Sequence, residues 1–342
     1  VILQRRSVPY QKGEFFMSDR VIAYLTPEVT LDKDLYFYSG GLGEVAGGIA
    51  RSAYKLGKKM VGVSLLYSQG YYEQSVNDGG MTIAYKTRRY YDLMRKTGKR
   101  CTIRIGQAQP VIAEIWEIPE GQYGSMPFYF LDTDTNLNND LGKINTQQLY
   151  GGSERTGRNL QRMISQSIVL GVGAVEALRV LEYDVACYHL NESHAVFTPL
   201  YLLHEELARG SNEKEAIARV RERTVFTNHT PVDAGNPKYD INTMSELMAF
   251  PEINRELLQR LGGETLFDAT LACLRLSRAV NAVSQKHLLT CKERWGDAVD
   301  TPWSGITNGV TVSYWQYPEF AEAHHAKKIA DAKMIYKNLY DD

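Results

Sequence analysis

Hydrophobic and polar positions follow two alternating patterns along this chain. Short runs rich in β-branched and aromatic residues, several almost entirely apolar, are separated by longer segments in which apolar positions recur at helical spacing. Short apolar runs are typical of strands buried on both faces of a parallel sheet, and the longer segments are typical of amphipathic helices. The alternation predicts an α/β fold with a doubly wound, Rossmann-like sheet.

The strands of this sheet are predicted at residues 21–25, 59–66, 102–106, 111–118, 127–131, 184–190, 224–228 and 280–283. Helices are predicted at residues 44–56, 156–181, 193–209, 213–222, 252–261, 269–278, 286–295 and 318–339. In doubly wound sheets, ligands bind beyond the carboxyl ends of the strands. We therefore expect a functional site in the loops that directly follow predicted strands.

Charge and composition exclude several classes of function. The 342 residues include 39 Lys and Arg against 40 Asp and Glu, which gives a net charge of −1. This balance argues against a nucleic-acid-binding protein, which needs an excess of basic residues, and against a polybasic membrane arm. No uninterrupted apolar stretch reaches the roughly 18 residues that span a bilayer. We therefore expect neither a nucleic acid nor a membrane as a partner.

Cysteine spacing and the N-terminal residues bear on the cellular compartment. The four cysteines are too far apart in sequence for a zinc knuckle and too few for a disulfide scaffold. We therefore expect no metal site and a cytoplasmic protein. Residues 1–16 lack the apolar core of a signal peptide, and we interpret them as a disordered or vector-derived extension. One Rossmann-like domain is predicted at residues 17–317, followed by a helical segment at residues 318–342.

A glycine-rich loop precedes the first predicted helix. Gly40, Gly41 and Gly43 lie directly before it. Glycines let backbone N–H groups approach an anion or a sugar closely, and the N-terminus of a helix adds partial positive charge. The spacing is neither that of a dinucleotide-binding loop nor that of a P-loop. A ligand-binding loop and a plain tight turn are both compatible with it.

Polar side chains also cluster where two later strands end. Asn191, Glu192 and His194 follow one strand, and Asn228 and His229 end another. Such groups can form hydrogen bonds with a polyhydroxylated ligand. A structural interpretation is open as well, with Asn191 or Ser193 as the N-cap of the next helix and His229 as an ordinary packed histidine.

Taken together, eight motifs resemble the N-terminal half of the α-glucan phosphorylases, and most closely their short bacterial and archaeal type. The motifs are AYLTPE (23–28), SGGLGEVAGG (39–48), VGVSLLYSQGYYEQ (61–74), LYGGSERTGRNLQ (149–161), HLNESHAVF (189–197), VFTNHTPVDAG (225–235), LRLSRAVNAVSQKH (274–287) and ITNGV (306–310). Each motif alone is modest, but all eight in this order are specific.

The resemblance implies a fold and an activity. The fold would be of the GT-B type, in which two Rossmann-like domains face a cleft. The activity would be transfer of a terminal α-1,4-linked glucose from a glucan to phosphate, giving glucose 1-phosphate with retained configuration. The carbonyl of His229 would lie near the anomeric carbon as the catalytic group. The substrate-binding residues would be Gly40, Gly41, Leu42, Asn191, Glu192, His194 and Asn228.

The same resemblance implies pyridoxal phosphate as the cofactor of the complete enzyme. The family holds it as a Schiff base on a lysine of a Gly-Asn-Met-Lys motif in the second domain, and the 342 residues contain no such motif. We therefore expect no cofactor-binding residue in this chain. We also expect this chain alone to be inactive and to need a second catalytic domain or a partner chain. Self-association into a homo-oligomer is expected from an uncovered cleft wall.

Three positions depart from the family pattern. Ser193 stands where the family often has Gly, Thr311 stands where it often has His, and Thr26-Pro27 stands where it usually has Ser with a small or sulfur-containing residue.

Two other functions are compatible with the sequence. A glycogen or starch synthase-like transferase that uses a sugar nucleotide has a similar Gly-Gly-Leu-Gly loop. However, no lysine lies two or three residues before Gly40, and Thr-Asn-His-Thr-Pro at 227–231 fits phosphorylases better. A non-catalytic glucan-binding or scaffold protein that kept one Rossmann-like domain is the third interpretation.

Overall fold

A computed structural model describes residues 20–32, 34–69, 73–84, 91–150, 157–232, 235–317 and 319. The strands are β1 (Val21–Leu25), β2 (Met60–Leu65), β3 (Glu73–Asn77), β4 (Gly80–Ala84), β5 (Arg95–Ile103), β6 (Val111–Ile118), β7 (Phe128–Asp132), β8 (Val185–Asn191), β9 (Thr224–Asn228), β10 (Lys238–Asp240), β11 (Leu266–Asp268), β12 (Ala279–Ala282) and β13 (Trp303–Gly305). The helices are α1 (Gly41–Lys55), α2 (Asp140–Lys143), α3 (Gly157–Val180), α4 (Phe197–Ala208), α5 (Glu213–Glu222), α6 (Ile241–Leu247), α7 (Arg255–Gly262), α8 (Ala269–Arg275), α9 (Gln285–Trp295) and α10 (Val312–Trp315).

One nine-stranded sheet organises the fold, with strand order β13-β12-β9-β8-β1-β2-β7-β6-β5. From β13 to β7 all neighbouring strands are parallel. The crossover connections between parallel strands put helices on both faces of the sheet, so the predicted doubly wound α/β fold is confirmed. Together with the mixed α/β architecture, this is a Rossmann-like half of a GT-B fold.

The parallel arrangement ends at one edge of the sheet. β6 is antiparallel both to β5 and to β7. The connections on either side of β6 are short and contain no α-helix, and a parallel pair would need a long crossover. The alternation of exposed and buried residues in β5 fits an edge strand that is half solvated.

Two apolar clusters fill the space between the sheet and its helices. On one face, α3 and α4 cover the sheet, with Phe197 and Phe226 fully buried between them and the strands. On the other face, Ala50 of α1 packs near Phe130 of β7. Burying an aromatic or large aliphatic side chain contributes about 1.5–3 kcal/mol. The central strands are thereby held rigidly, and their carboxyl ends are fixed relative to one another.

The first helix lies unusually close to the loop after β1. A Cβ atom at Gly47 would lie 1.9 Å from the carbonyl oxygen of Thr30. The same carbonyl accepts a hydrogen bond of 3.0 Å from Nη1 of Arg51. Only glycine at position 47 permits this approach, which sets the N-terminus of α1 beside the strand ends.

Several elements differ from the sequence-based prediction. The segment at 102–106 is only the end of β5, and the helix predicted from 193 begins at Phe197 after a short 3-10 turn. The hairpin of β3 and β4, the short strands β10, β11 and β13, and helix α6 were not predicted. Three-residue strands carry too few positions for a periodic pattern. Residues 1–16 and, apart from Glu319, the predicted helix at 318–339 lie outside the described residues.

Helix α3 bears on the expectation that no segment of this chain is apolar enough to span a membrane. Its segment Leu160–Val180 is long and apolar enough to cross a membrane, but 67% of the most apolar window is buried inside the fold. Its apolar side chains pack on the sheet, as in the central helix of many α/β domains. Its length and hydropathy are accounted for by this packing.

Candidate functional site

A cavity of about 690 Å³ lies at the carboxyl ends of the parallel strands. It is lined by Glu28, Ser39, Gly40, Gly41, Leu42, Val45, Tyr150, Met163, Glu192, His194, His229, Thr230, Gly235, Pro237, Val283 and Asn308. Residues that follow β1, β8, β9, β12 and β13 all contribute to its wall. The volume is within the range of roughly 300–1,000 Å³ that is usual for small-molecule sites, and the position is the usual one in open α/β sheets.

The sequence-predicted site residues fall into two groups. Six of them line this cavity: Gly40, Gly41, Leu42, Glu192, His194 and His229. Asn191 and Asn228 do not line it, and both are fully buried. Oδ1 of Asn228 accepts a hydrogen bond of 3.4 Å from Sγ of Cys291. These two asparagines therefore lie behind the wall rather than on it.

Glu28 holds the glycine loop in place. Its Oε2 accepts hydrogen bonds from the backbone N–H of Ser39 at 2.5 Å and of Gly40 at 3.3 Å. Its Oε1 accepts from the hydroxyl of Tyr150 at 2.6 Å. Burial raises the pKa of Glu28, and these hydrogen bonds oppose the rise. The carboxylate of Glu28, three residues after β1, therefore fixes the path of the glycine loop.

The N-terminus of α1 presents open backbone to the cavity. No side chain caps the helix at Gly40. A Cβ atom at Gly40 or Gly41 would meet no heavy atom within 4 Å, whereas one at Gly43 would lie 2.4 Å from Cβ of Tyr38. Gly43 is therefore required for packing. Gly40 and Gly41 instead keep space free in front of the helix N-terminus, where N–H groups can approach a sugar or an anion.

Glu192 joins the ends of β8 and β9. Its Oε1 accepts a hydrogen bond of 2.5 Å from the backbone N–H of His229, and its Oε2 accepts one of 3.3 Å from the N–H of Ser193. Burial raises the pKa of Glu192 to about 7, against the effect of these bonds and of the Thr230 N–H. The carboxylate is 4% exposed.

His229 is fixed from both its main chain and its ring. Its Nε2 lies 2.7 Å from Oδ1 of Asn191, so the ring donates there. Nδ2 of Asn191 in turn donates to Oγ1 of Thr26 at 3.0 Å, which fixes the amide orientation. Burial, together with nearby His287 and His189, lowers the pKa of His229 to about 4. The imidazole is therefore neutral at pH 7.

The other histidines near the strand ends are neutral as well. Burial lowers the pKa of His194 and of His189 to about 4. His194 packs against the ring of Tyr150 with centroids 5.5 Å apart and lines the cavity. His189 instead lies 2.7 Å from Oγ1 of Thr227 through its Nε2 and lines a separate cavity of about 360 Å³ beside α1.

The charged residue types described on the wall of the main cavity are all acidic. The described residues that line the main cavity include two buried glutamates but neither Lys nor Arg. No group of three or more His, Cys, Asp or Glu among the described residues could hold a metal ion. A Schiff-base cofactor needs a lysine, and phosphate needs cationic partners. The residues of this wall therefore do not fit pyridoxal phosphate.

Sequence reasoning missed Glu28 and Tyr150. A signal for Glu28 exists, since an acidic residue three positions after an apolar strand is at the edge where ligands bind. Tyr150 lies in the motif at 149–161, but nothing in that motif indicates that its hydroxyl reaches Glu28 across 122 residues of sequence.

Comparison with known proteins gives one family match and several relatives. Residues 22–296 match the family described as the starch synthase catalytic domain. An uncharacterized protein of Methanocaldococcus jannaschii is 35% identical over 324 residues, which cover 93% of this chain and 58% of that protein. A maltodextrin phosphorylase of Thermococcus litoralis is 33% identical over 91% of this chain and 37% of its own length. For a glycogen phosphorylase of Aquifex aeolicus the identity is 29% over 86% of this chain and 44% of its own length. The chain thus spans less than two thirds of each of these relatives.

Proposed function

Because this chain belongs to the glycosyltransferase family of starch synthase catalytic domains, we propose that it is the N-terminal domain of an α-1,4-glucan phosphorylase. The substrates would be an α-1,4-glucan and phosphate, and the product glucose 1-phosphate with retained configuration. Relatives that carry the name of maltodextrin or glycogen phosphorylase support this choice within the family. We further propose that it is of the short bacterial and archaeal type and acts in the cytoplasm.

The observation that carries the proposal is the fixed His229 segment at the cavity wall. Glu192 holds its N–H, and Asn191 holds its ring. Among the described residues, none donates a hydrogen bond to the carbonyl oxygen of His229. A free carbonyl dipole on a rigid segment can stabilise oxocarbenium-like positive charge at an anomeric carbon.

Charge at the wall supports the same assignment. A neutral imidazole and buried carboxylates suit a site where positive charge develops on a sugar ring. The described part of the same wall is unsuited to hold phosphate by itself, since none of its lining residues is Lys or Arg. In the proposed enzyme, a second domain or a partner chain supplies the phosphate-binding groups and the pyridoxal phosphate. A homo-oligomer is a further proposal for covering the cleft.

A starch synthase-like activity is the second candidate, favoured by the description of the matching family. The same wall would then face the glucan acceptor, and the donor would be a sugar nucleotide. The glycine loop and His229 segment are compatible with both reactions.

An assay of the complete protein that carries this sequence separates the two candidates. Maltodextrin with inorganic phosphate should give glucose 1-phosphate, and maltodextrin with ADP-glucose or UDP-glucose should give no chain elongation. The reverse result would assign the synthase activity, and binding of maltodextrin without either reaction would assign a glucan-binding protein. A polypeptide limited to these 342 residues should bind no pyridoxal phosphate, which absorbance would reveal.

A further inference from the structure

Glu192 has a strained backbone conformation and a buried side chain whose two carboxylate oxygens both accept hydrogen bonds. Its backbone has φ 65° and ψ 169°, a region that residues other than glycine avoid. Its carboxylate is 4% exposed and accepts from main-chain N–H groups on two different strand ends. Glycine at this position would relieve the strain, so the side chain of Glu192 must serve a purpose that offsets it.

We propose that Glu192 is a positioning residue, which fixes the main chain at His229 and Thr230 and thereby aims the His229 segment into the cleft. The proposal rests on the proposed function, because the orientation of the His229 segment matters only if a sugar faces it. It differs from the sequence-based expectation that Glu192 binds substrate directly. β8 and β9 are neighbours in the sheet, with Asn191 paired to Thr227, so the carboxylate spans the gap between their ends.

Only a carboxylate suits this position. An ionised carboxylate accepts hydrogen bonds at both oxygens and donates none. Here Oε1 faces the N–H of His229 and Oε2 faces the N–H of Ser193. Glutamine would have to turn its NH₂ group toward one of these donors, which leaves a buried N–H without an acceptor. Aspartate is shorter and would draw the two strand ends together.

Protonation of Glu192 should act as glutamine does, because it turns one oxygen into a donor. The titratable groups around it are Tyr150, His194, His229, Cys273 and Cys291. Burial raises the pKa of the tyrosine and of both thiols, and it lowers the pKa of both histidines to about 4, so all five are neutral at pH 7. The pKa of Glu192, at about 7, is the one among these six groups that lies near neutrality.

Glu182 offers a matched control. It is the other glutamate with positive φ among the described residues, at φ 66°. It is exposed, in the turn that follows α3. Glu182→Gln therefore changes the same kind of residue at a similar φ, without touching the cavity.

The test combines kinetics of the complete protein with NMR of the chain labelled with ¹⁵N-histidine. The seven histidines give few amide signals, and His229→Gln identifies the one from His229. In the wild type and in Glu182→Gln, this amide signal should shift with an apparent pKa near 7, and in Glu192→Gln it should not. The kcat of phosphorolysis should fall about ten- to a hundredfold in Glu192→Gln, with KM nearly unchanged.

Three results would overturn the proposal. One is a His229 amide signal that does not respond to pH near 7 in the wild type, a measurement that needs no variant to fold. Another is a Glu192→Gln variant whose KM rises while kcat is kept, which would assign direct substrate binding. The third is equal kinetic loss in Glu192→Gln and Glu182→Gln. If the complete protein performs no phosphorolysis, the proposed function fails, whereas the NMR titration still decides whether Glu192 orders the His229 segment.

Discussion

Tyr150 donates its hydroxyl hydrogen to Oε1 of Glu28 over 2.6 Å, although 122 residues separate the two in sequence. Oε2 of the same carboxylate holds the backbone of the glycine loop. The wall of the cleft is therefore tied together by one buried carboxylate, with the loop on one side and Tyr150 on the other. Glu192 has the equivalent relation to the His229 segment, so two buried carboxylates shape the two halves of the wall.

Replacing Tyr150 by Phe should remove the link between Tyr150 and Glu28, which holds the glycine loop, with little change in packing. The ring stays against His194, while Glu28 loses one hydrogen-bond donor. We expect about 1 kcal/mol lower stability and about tenfold lower activity, because the loop is positioned less precisely. Urea denaturation and initial rates measure the two effects.

Tyr67→Phe is the matched control for that change. Tyr67 is also buried and donates a hydrogen bond of 3.0 Å to the carbonyl of Pro27, but it does not line the main cavity. Stability should fall by a similar amount while activity is kept. Equal losses of activity in both variants would mean that Tyr150 acts only through general stability.

Alanine at Gly41 and at Gly47 should have opposite effects. The added methyl group at Gly41 meets no atom within 4 Å, whereas at Gly47 it would lie 1.9 Å from the carbonyl oxygen of Thr30. Gly41→Ala should therefore fold with nearly unchanged melting temperature, yet lose activity because the methyl group occupies the cleft. Gly47→Ala should be strongly destabilised. Full activity in Gly41→Ala would make the loop a plain turn.

Substitutions at His229 separate electrostatic from acid–base catalysis. His229→Asn keeps a side chain that restricts the backbone, and in both variants the N–H can still bind Glu192. His229→Gly frees the backbone as well and should lose more activity. The pKa of His229 is lowered to about 4, so the wild-type rate should show no inflection near pH 6.5 from this residue. Equal losses in both variants, with an inflection near pH 6.5 that persists in Glu192→Gln, would favour a general base.

The sequence predicted the fold class and most of the main sheet because long apolar runs and amphipathic segments carry strong periodic signals. No strand direction was predicted at the antiparallel edge, although the short gaps on either side of the predicted strand at 111–118 leave no room for a parallel crossover. For the site, the polar strand ends after β8 and β9 were visible as motifs. The sequence did not show which side chains face the cavity. Asn191 and Asn228 were predicted as substrate-binding residues, but both are fully buried behind the cavity wall.

Long-range contacts explain the rest of the difference. Glu28 and Tyr150 meet only through the fold, and no local rule connects positions that far apart. The strained φ of Glu192 is also invisible in sequence, because a non-glycine residue in that region is the exception.

Stability should depend on pH through histidines whose pKa the fold lowers. Burial lowers the pKa of His189, His194 and His229 to about 4, from an ordinary value of 6.5. Below pH 6.5 the unfolded chain binds protons that the folded chain does not, so stability is complete above 6.5 and falls as the pH drops toward 4. Each histidine can account for at most about 3 kcal/mol.

Glu192 acts in the opposite direction, since its pKa is raised to about 7 and its burial costs stability as the pH rises from 4.5 toward 7. Glu192→Gln removes this opposing effect, so its urea midpoint should fall more steeply than that of the wild type between about pH 7.5 and about pH 5. An equal or smaller fall in the variant would contradict a buried, raised-pKa carboxylate at this position.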